Sequence, residues 1–469
     1  MGGRPLRRLA WVALLAGLGL VSAAAVRAEE AEDDPMGGFE DDGFPSPGEP
    51  AGQAEPEPSG ADRWWDLTGA VGITSAFSYP KHRSTSGTDY QGLVGLRTKL
   101  GLQLDVELPR EWQARAAGSG FYDFAYLARG RDEYTNAVLD KYEWDADVGE
   151  LWVEGPLLPD LDVKVGRQVV NWGRSDTLRV LDVLNPIDNR EPGLLDLIDL
   201  RLPVTMARAS YYPHPRWAIT GIYIPELRFS IDPPFGSDFF PGLQELPPQT
   251  VKSGFTGSHP EWAASLSGTF EGWDISFHFA SAYEDVSRFE PNSAIPQGFQ
   301  LKHSRVLLGG VGGNYAFGSW LVKGELAGIT GIDFATTNEK TRFDSMLGVE
   351  YYGFADNNIA LEIVLRHLDD FRGSMRGAPD FARQNTVETA LRWSADWWNA
   401  RLHTTALAVV FGAKAQDGSV LRFSADYDIR DALSFGVGIQ IFFDGTASDG
   451  FLNPFSSNDR VFLRLKYSF

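Results

Sequence analysis

Hydrophobic and polar residues alternate with a period of two along most of the chain beyond residue 64. In the segment 94–108 the aliphatic residues occupy even positions, while Arg97, Lys99 and Asp105 occupy odd positions. Only a β-strand places two such sets on opposite faces. The segments 418–429, 431–444 and 459–469 repeat the pattern, so the chain is predicted to be built from strands.

The alternation predicts eighteen strands, and sixteen is the alternative count because the segments 142–155 and 398–413 alternate poorly. Most strands have the roughly 9–11 residues or more that a tilted strand needs to cross a bilayer. The predicted strands are 65–79, 91–108, 111–127, 142–155, 160–170, 202–213, 216–229, 261–271, 273–285, 301–315, 318–332, 341–353, 357–369, 385–395, 398–413, 418–429, 431–444 and 459–469.

The connections between these strands differ in length at the two ends. Even-numbered strands are followed by short turns, and most odd-numbered strands by long loops, which is the arrangement of outer-membrane barrels. Aromatic residues collect at the short-turn ends, as expected of an interfacial belt. The fold class predicted is therefore all-β, a transmembrane antiparallel up-and-down β-barrel. The belt residues are Trp112, Trp217, Trp273, Trp320, Tyr352, Trp397, Trp398, Tyr467 and Phe469.

The first 63 residues have a different character from the strand region. Residues 1–28 combine four arginines, an apolar run and a small-residue end, which is typical of a secretory signal peptide. Residues 29–63 are rich in acid, proline and glycine, and are predicted to be a disordered periplasmic segment. The barrel is assigned to residues 64–469, where no apolar stretch is long enough for a membrane helix.

Composition excludes several classes of function. The chain has no cysteine, which excludes disulfide scaffolds and thiol nucleophiles, and its net charge of −21 argues against nucleic acid as a partner. The mean hydropathy of −0.21 does not argue against a membrane barrel, because half of each strand faces a polar lumen.

The most distinctive motif is Gly166-Arg167-Gln168, then Trp172-Gly173, followed by the Asn185-Pro186-Ile187-Asp188 loop. This pattern resembles an uncharacterised family of porin-like proteobacterial outer-membrane barrels and, more distantly, the alginate-export porins. The family often has an acid directly after Trp-Gly, where this chain has Arg174. The resemblance implies a passive channel or an export duct.

The long connection 171–201 is predicted to fold into the barrel mouth. Ser175 and Asp176 are suited to cap a short helix with Leu178, Leu181 and Leu184 on one side, and Pro192 to begin a second amphipathic turn. An alternative to a lining role is that its charges only pair with one another to hold the loop. The predicted constriction residues are Arg167, Trp172, Arg174, Asp176, Arg179, Asp182, Asn185, Asp188 and Arg190.

Charged residues on the polar faces of the strands are predicted to line the lumen, because an Arg or Lys facing lipid near the midplane costs about 2–4 kcal/mol. They either select ions or only solvate a water-filled lumen. The set is Arg97, Lys99, Asp105, Glu350, Glu362, Arg366, Glu388, Arg392, Arg422, Asp426, Arg464 and Lys466.

Two aromatic features complete the site predictions. Phe235, Phe239 and Phe240 lie in a proline-rich loop that either offers a hydrophobic entrance or packs over its own barrel mouth. Tyr467 and Phe469 end the chain like the C-terminal signal that the barrel assembly machinery recognises.

The sequence therefore predicts a porin-like channel for small solutes in the outer membrane of a Gram-negative cell, surrounded by lipid and lipopolysaccharide. A gated exporter of hydrophobic compounds or a polymer, working with periplasmic partners, is the first alternative, and a surface-binding or adhesion barrel is the second. No catalytic residue, metal ligand or cofactor is assigned, and a monomer is favoured over an oligomer.

Overall fold

The barrel is closed by pairing between its first and last strands. The computed structural model describes residues 63–192, 200–242, 245–251, 253–294 and 298–469. These residues form one sheet of eighteen antiparallel strands, and Ala70 to Ser78 of the first strand pair with Ser468 to Arg460 of the last. The predicted count of eighteen is confirmed. The predicted signal peptide, and the acidic segment as far as residue 62, lie outside the described residues.

The strand bounds follow the predicted segments closely. They are β1 (Trp65–Ser78), β2 (Gly92–Leu108), β3 (Trp112–Asp123), β4 (Trp144–Leu158), β5 (Leu161–Gln168), β6 (Val204–His214), β7 (Trp217–Ile224), β8 (Glu261–Phe270), β9 (Trp273–Pro291), β10 (Phe299–Phe317), β11 (Trp320–Phe334), β12 (Thr337–Phe354), β13 (Asn357–Leu368), β14 (Asn385–Trp397), β15 (Leu402–Phe411), β16 (Ser419–Arg430), β17 (Leu433–Phe443) and β18 (Arg460–Ser468).

Strand β13 shows which way the alternating apolar and charged side chains point. Leu361 and Leu365 are 38% and 50% exposed, whereas Glu362 between them is only 4% exposed. Apolar side chains therefore face outward and a charged side chain faces inward, which is the reverse of a soluble protein. This is the arrangement of an outer-membrane β-barrel, whose outer surface contacts lipid.

The two ends of the barrel differ in the length of their connections. One end has short turns such as 159–160, 215–216 and 271–272, and the other has the long connections 124–143, 169–203 and 225–260. The β11–β12 connection departs from the prediction, because it is a tight turn at 335–336 and not a loop over 333–340. The Asp380 carboxylate accepts hydrogen bonds from the Ala335 and Thr336 amides at 2.7 and 3.1 Å, so the hairpin extends further.

Aromatic residues mark the short-turn end, as predicted. Trp273 and Trp320 begin their strands and are 42% and 43% exposed. Phe469 exchanges two backbone hydrogen bonds with Gly69, at 2.8 and 2.9 Å, and so completes the closure. Recognition of Tyr467 and Phe469 by the assembly machinery stays a prediction.

Helical structure is confined to connections at the long-loop end. The β3–β4 connection carries α1 (Ala125–Arg129) and α2 (Asn136–Tyr142), and the Thr135 hydroxyl caps α2 by accepting from the Val138 amide at 3.3 Å. Among the described residues, the helices are all too short to cross a membrane.

Candidate functional site

The chain turns into the barrel at the end of β5. Gly166 has a φ of +133°, and a Cβ at this position would lie 2.1 Å from the carbonyl oxygen of Leu151 on β4. Only glycine fits both the conformation and the space. Gln168 follows, fully buried, and its carboxamide nitrogen donates to the Met206 carbonyl oxygen at 3.2 Å. Residues 169–203, called the inner loop, continue from this point.

Asn185 fastens the two ends of the inner loop together. Its side-chain oxygen accepts a hydrogen bond from the Val170 amide at 2.8 Å, and its nitrogen donates to the carbonyl oxygens of Gln168 and Leu202 at 3.3 and 2.9 Å. Asn185 is fully buried. Buried polar groups of the loop ends are thus satisfied by one side chain.

Two buried glutamates of the barrel wall hold the tip of the inner loop. Glu325 of β11 accepts hydrogen bonds from the amides of Arg174, Ser175 (3.2 Å) and Leu181 (3.0 Å). Glu325 is 1% exposed, and the next residue, Leu326, is 58% exposed, so Glu325 points into the barrel. The loop tip therefore lies inside the barrel against β11.

Glu362 of β13 binds the neighbouring part of the tip. It accepts hydrogen bonds from the amides of Asp176 at 2.7 Å and of Thr177 and Leu178 at 3.1 Å, and from the Ser175 hydroxyl at 2.9 Å. Hydrogen bonds to an ionised group are stronger than those between neutral groups. Together the two carboxylates take up most of the backbone donors of residues 174–178.

The helix predicted from the Ser175 cap does not form, and this prediction was wrong. The cap bond itself exists, since the Ser175 hydroxyl accepts from the Leu178 amide at 2.9 Å. Residues 176–184 are nevertheless irregular, and the Leu181 amide, which a helix would pair with the Thr177 carbonyl oxygen, donates to Glu325 of the wall instead. The second predicted turn, after Pro192, falls on residues 193–199, outside the described residues.

The apolar residues of the loop dock on an apolar part of the inner wall. Leu178, Leu181 and Leu184 are at most 6% exposed and join the main core cluster. Leu181 occupies space left by Gly310 of β10, where a Cβ would lie 2.3 Å from a Leu181 methyl carbon. Trp172 packs edge-on against His278 with 4.8 Å between ring centroids.

The charged residues predicted for the constriction are all engaged in ion pairs or hydrogen bonds. Arg174 pairs with Asp274 of β9 at 2.7 Å, and Asp176 pairs with Lys323 of β11. Further contacts are Arg179 with the Asp182 and Asn185 carbonyl oxygens, Asp182 with Arg201 at 2.9 Å, Arg190 with Asp188 and Asp145, and Arg167 with Glu226 and Asp147.

The loop charges have two interpretations, one in which they line a path and one in which they only hold the loop, and these contacts bear on both. Asp182 and Arg201 have side chains only 4% exposed, so this pair holds the loop and does not face a path. Arg174 and Asp176 retain side-chain exposures of 31% and 38%. The buried pair thus holds the loop, and a lining role for Arg174 and Asp176 stays a prediction.

Most of the predicted lumen residues lie in ion pairs along the inner wall, and Glu362 binds the loop tip instead. Arg366 of β13 pairs with Asp344 and Glu388, both at 3.2 Å, and Arg464 pairs with Asp426 at 3.0 Å. The others are Arg97 with Glu191 and Asp123, Asp105 with Arg115, Glu350 with Lys323, the buried Arg422, and the half-buried Lys99, Arg392 and Lys466.

Sequence reasoning missed Glu325 and Asp344. Their signal was present in the alternation, since Glu325 precedes the outward Leu326 and Asp344 shares the parity of Glu350. The pattern contained one partner, Arg342, which pairs with Asp344 from two positions away on the same strand. It did not contain the others, which are residues of the inner loop for Glu325 and Arg366 of the neighbouring strand for Asp344.

A second segment covers the barrel at the long-loop end. Residues 233–240, called the mouth strap, run from the β7 side to β17 and β18, nearly opposite in the ring of strands. Asp238 pairs with Arg460 at 2.7 Å, and the Tyr90 hydroxyl donates to the Gly236 carbonyl oxygen at 2.9 Å. Phe239, 2% exposed, packs against Phe442 with 5.8 Å between ring centroids.

The aromatic loop therefore packs over its own barrel mouth. Phe239 and Phe240 are 2% and 8% exposed, and Phe235 is half-buried, with its carbonyl oxygen accepting from the Thr135 hydroxyl at 2.8 Å. An exposed hydrophobic entrance at these three residues is not formed, because the rings are used to fix the strap.

Buried tyrosines lie beside the mouth strap. Tyr90, Tyr126 and Tyr142 are each 4% exposed, and burial raises the pKa of all three hydroxyls. These phenols are neutral hydrogen-bond donors, and the Tyr142 hydroxyl donates to the Arg190 carbonyl oxygen of the inner loop at 2.6 Å. The β3–β4 connection, which carries Tyr142, is thus in direct contact with the inner loop.

The chain matches one family model over most of its length. This model, described as a protein of unknown function, DUF1302, matches residues 84–469. This match confirms the predicted resemblance to an uncharacterised family. A comparison with curated proteins finds no match.

Three solved structures illustrate the similarity of fold. OccAB3 of Acinetobacter baumannii is 10% identical with a TM-score of 0.48, and the match covers 86% of this chain and 99% of that one. OpdK of Pseudomonas aeruginosa with vanillate is 10% identical with a TM-score of 0.46, covering 86% and 98%. An anion-selective porin from Comamonas acidovorans is 12% identical with a TM-score of 0.42, covering 86% and 99%.

Proposed function

This chain belongs to the DUF1302 family of proteins of unknown function, and we propose that it is an outer-membrane channel for the passive passage of small solutes, constricted by the inner loop. The observation that carries the proposal is the attachment of the loop tip to Glu325 and Glu362 inside a closed barrel. A loop fixed within a lumen narrows it. The solute is not specified by this observation.

The depth of the loop tip supports a constriction near the short-turn end. Asp274, the partner of Arg174, is the second residue of β9, and Lys323, the partner of Asp176, is the fourth residue of β11. A tilted strand rises roughly 2.5 Å per residue along the barrel axis. The narrowest point is therefore expected within roughly 10 Å of the short-turn end.

The remaining path is bordered by charges of both signs. The tip of the inner loop covers the wall from β9 to β13, and Glu191 and Pro192 of the same loop reach Arg97 of β2 and Gln440 of β17. Arg392, Arg422, Asp426 and Lys466 are inward residues of β14, β16 and β18. Paired charges of both signs keep a path hydrated without strongly favouring one ion. We expect small polar solutes and weak ion selectivity.

The orientation follows from the same barrel. Strand β1 begins at Trp65, which pairs with Val106 near the short-turn end. Short turns face the periplasm in single-chain barrels, so residues 29–63 are proposed to lie in the periplasm. Outer-membrane lipid, lipopolysaccharide and, during biogenesis, the barrel assembly machinery are its proposed partners, with a monomer as the favoured state.

Single-channel conductance in a planar bilayer tests the proposal. The purified barrel is compared with a variant in which residues 175–200 are replaced by a short Gly-Ser linker. A steady conductance that rises in the variant supports a channel constricted by the inner loop. Silence of both proteins contradicts the channel and favours the adhesion barrel.

A further inference from the structure

The barrel wall is unusually low on one side. Strands β5 and β7 have 8 residues each, whereas β4 and β9 to either side have 15 and 19. At a rise of roughly 2.5 Å per residue, eight residues give a wall of about 20 Å, less than the apolar band of about 25 Å. The wall at β5 and β7 therefore ends within the outer half of the membrane, whereas β6 between them has 11 residues.

The flanking strands continue beyond this low wall. The highest pair between β4 and β5 is Leu151 with Arg167, so residues 144–150 of β4 extend above β5. On the far side, the highest pair between β8 and β9 is Trp262 with Ser281, and β9 continues to Pro291. A notch thus opens between the upper parts of β4 and β9.

Residues 225–231, called the bridging segment, close the notch. Glu226 accepts a hydrogen bond from the Thr205 amide at 2.8 Å, at the top of β6, and Arg228 donates to the Pro203 carbonyl oxygen at 2.9 Å. On the other side, Phe229 stacks on the His303 ring of β10 with 3.6 Å between centroids. Glu226 and Leu227 pair with Phe255 and Gly254 in a short antiparallel ladder that is separate from the eighteen-strand sheet. The segment therefore completes the wall above β7 without belonging to that sheet.

The contact between β4 and the bridging segment, called the seam, is made by side chains. Asp147 of β4 pairs with Arg228 at 2.5 Å and with Arg167 at 3.4 Å. Within the described ranges, no backbone hydrogen bond joins residues 145–149 to residues 225–231. The eighteen-strand sheet itself is held by continuous backbone ladders, so the seam is the weaker junction.

The two sides of the seam differ in polarity. On the lipid side Trp144, Val148 and Leu151 are 60%, 54% and 53% exposed. On the lumen side Asp145 pairs with Arg190 of the inner loop at 3.1 Å. Irregular backbone at membrane depth is tolerated where protein buries it or where it lines a cavity.

We propose that the seam is a lateral opening through which small apolar solutes dissolved in the outer leaflet pass between the membrane and the lumen. The proposal rests on the channel function above and adds a second route to it. Opening requires that Asp147 part from Arg228 and Arg167, whereas parting two neighbouring strands of the eighteen-strand sheet breaks a ladder of backbone hydrogen bonds. The apolar lipid face of β4 delivers the solute to this junction.

Reversible cross-linking of the seam tests the lateral route. The chain has no cysteine, so the double variant Asp147→Cys with Arg228→Cys carries the only two thiols. A short bifunctional methanethiosulfonate joins them, and a reductant releases them. Entry of the apolar dye N-phenyl-1-naphthylamine is followed in Gram-negative cells that carry the variant, and ion conductance is measured on the purified barrel.

The route predicts that dye entry rises in the unlinked variant, falls severalfold on cross-linking and returns with the reductant, while conductance stays constant. Val153→Cys with Val165→Cys is the matched control, because these lipid-facing residues oppose each other on β4 and β5 below the seam. The same reagent should leave dye entry unchanged in cells that carry this control variant.

Two outcomes overturn the inference. If cross-linking does not change dye entry, the seam has only a structural role. If dye entry and conductance fall together, the dye uses the axial path. Arg228→Ala serves if the double variant does not assemble, and it should raise dye entry in a barrel that still shows heat-modifiable migration on a gel. If the purified barrel shows no conductance but dye entry still falls on cross-linking, the axial channel is contradicted and the seam is supported.

Discussion

At the scale of the residue, Glu362 is one of the two wall carboxylates that hold the tip of the inner loop. Glu362 accepts hydrogen bonds from three amides and one hydroxyl, and each such bond to a charged group contributes about 1.5–3 kcal/mol. Glu362→Gln loses the charge and one acceptor oxygen, so we expect the tip to detach and single-channel conductance to rise. Leu361→Ala, on the lipid face of the same strand, is the control. Equal conductance of all three proteins would contradict this role.

A glycine on β10 provides a second residue-scale prediction. In Gly310→Ala the new methyl group would lie 2.3 Å from Leu181 and 2.7 Å from the Leu326 carbonyl oxygen, so the loop or the strand must shift. We expect a loss of about 1–3 kcal/mol from overpacking and faster proteolysis of the inner loop. Gly309→Ala is the matched control, since nothing lies within 4 Å of its Cβ. Identical proteolysis of both variants would show that Leu181 is not held at this position.

At the scale of the residue, the sequence predicts which way a strand side chain points but not which group it contacts. Alternation identified the inward side of Glu362 and Asp426 because side-chain direction in a strand depends only on sequence parity. It did not reveal that Glu362 binds residues 175–178, because that contact joins parts of the chain far apart in sequence. A charge in the lumen was thus predictable, and its partner was not.

At the scale of the element, the bend in β5 directs the inner loop into the barrel. Gly166→Ala places a Cβ against the Leu151 carbonyl oxygen in a conformation with φ of +133°, and we expect a cost of about 1–3 kcal/mol or more. Thermal loss of heat-modifiable migration measures the barrel's stability. Gly221→Ala on β7 is the control, because its Cβ meets nothing within 4 Å. A variant at Gly166 as stable as the control would mean that the bend is not required.

The elements also show where sequence patterns fail. Eighteen strands were predictable because lipid imposes a strict apolar face on each of them. The helix expected at residues 176–184 was not formed, although its cap and its apolar side are both present. A pattern of spacing cannot reveal that Glu325 and Glu362 supply the acceptors for these amides from the wall.

At the scale of the whole molecule, the path is covered at both ends. The mouth strap is anchored by Asp238, which pairs with Arg460 at 2.7 Å and whose carbonyl oxygen accepts from the Asn458 side chain at 2.7 Å. Asp238→Ala removes the ion pair and leaves the nearly buried Arg460 without its carboxylate. We expect the strap to leave the mouth transiently, seen as brief steps of higher conductance in single-channel records. Records identical to the wild-type protein would show that the strap is not a cover for the conducting path.

Because the strap and the loop tip lie at opposite ends of one path, their resistances add in series. Releasing only one of them leaves the other as the limiting resistance, so each single variant, Asp238→Ala or Glu362→Gln, has a limited effect. The double variant should raise conductance by more than the sum of the two increases, a non-additivity that does not require contact between the two sites. Additive increases would instead indicate two separate conducting routes, one past the strap and one past the loop. The same four proteins therefore distinguish a single axial channel, gated at both ends, from a barrel with parallel paths.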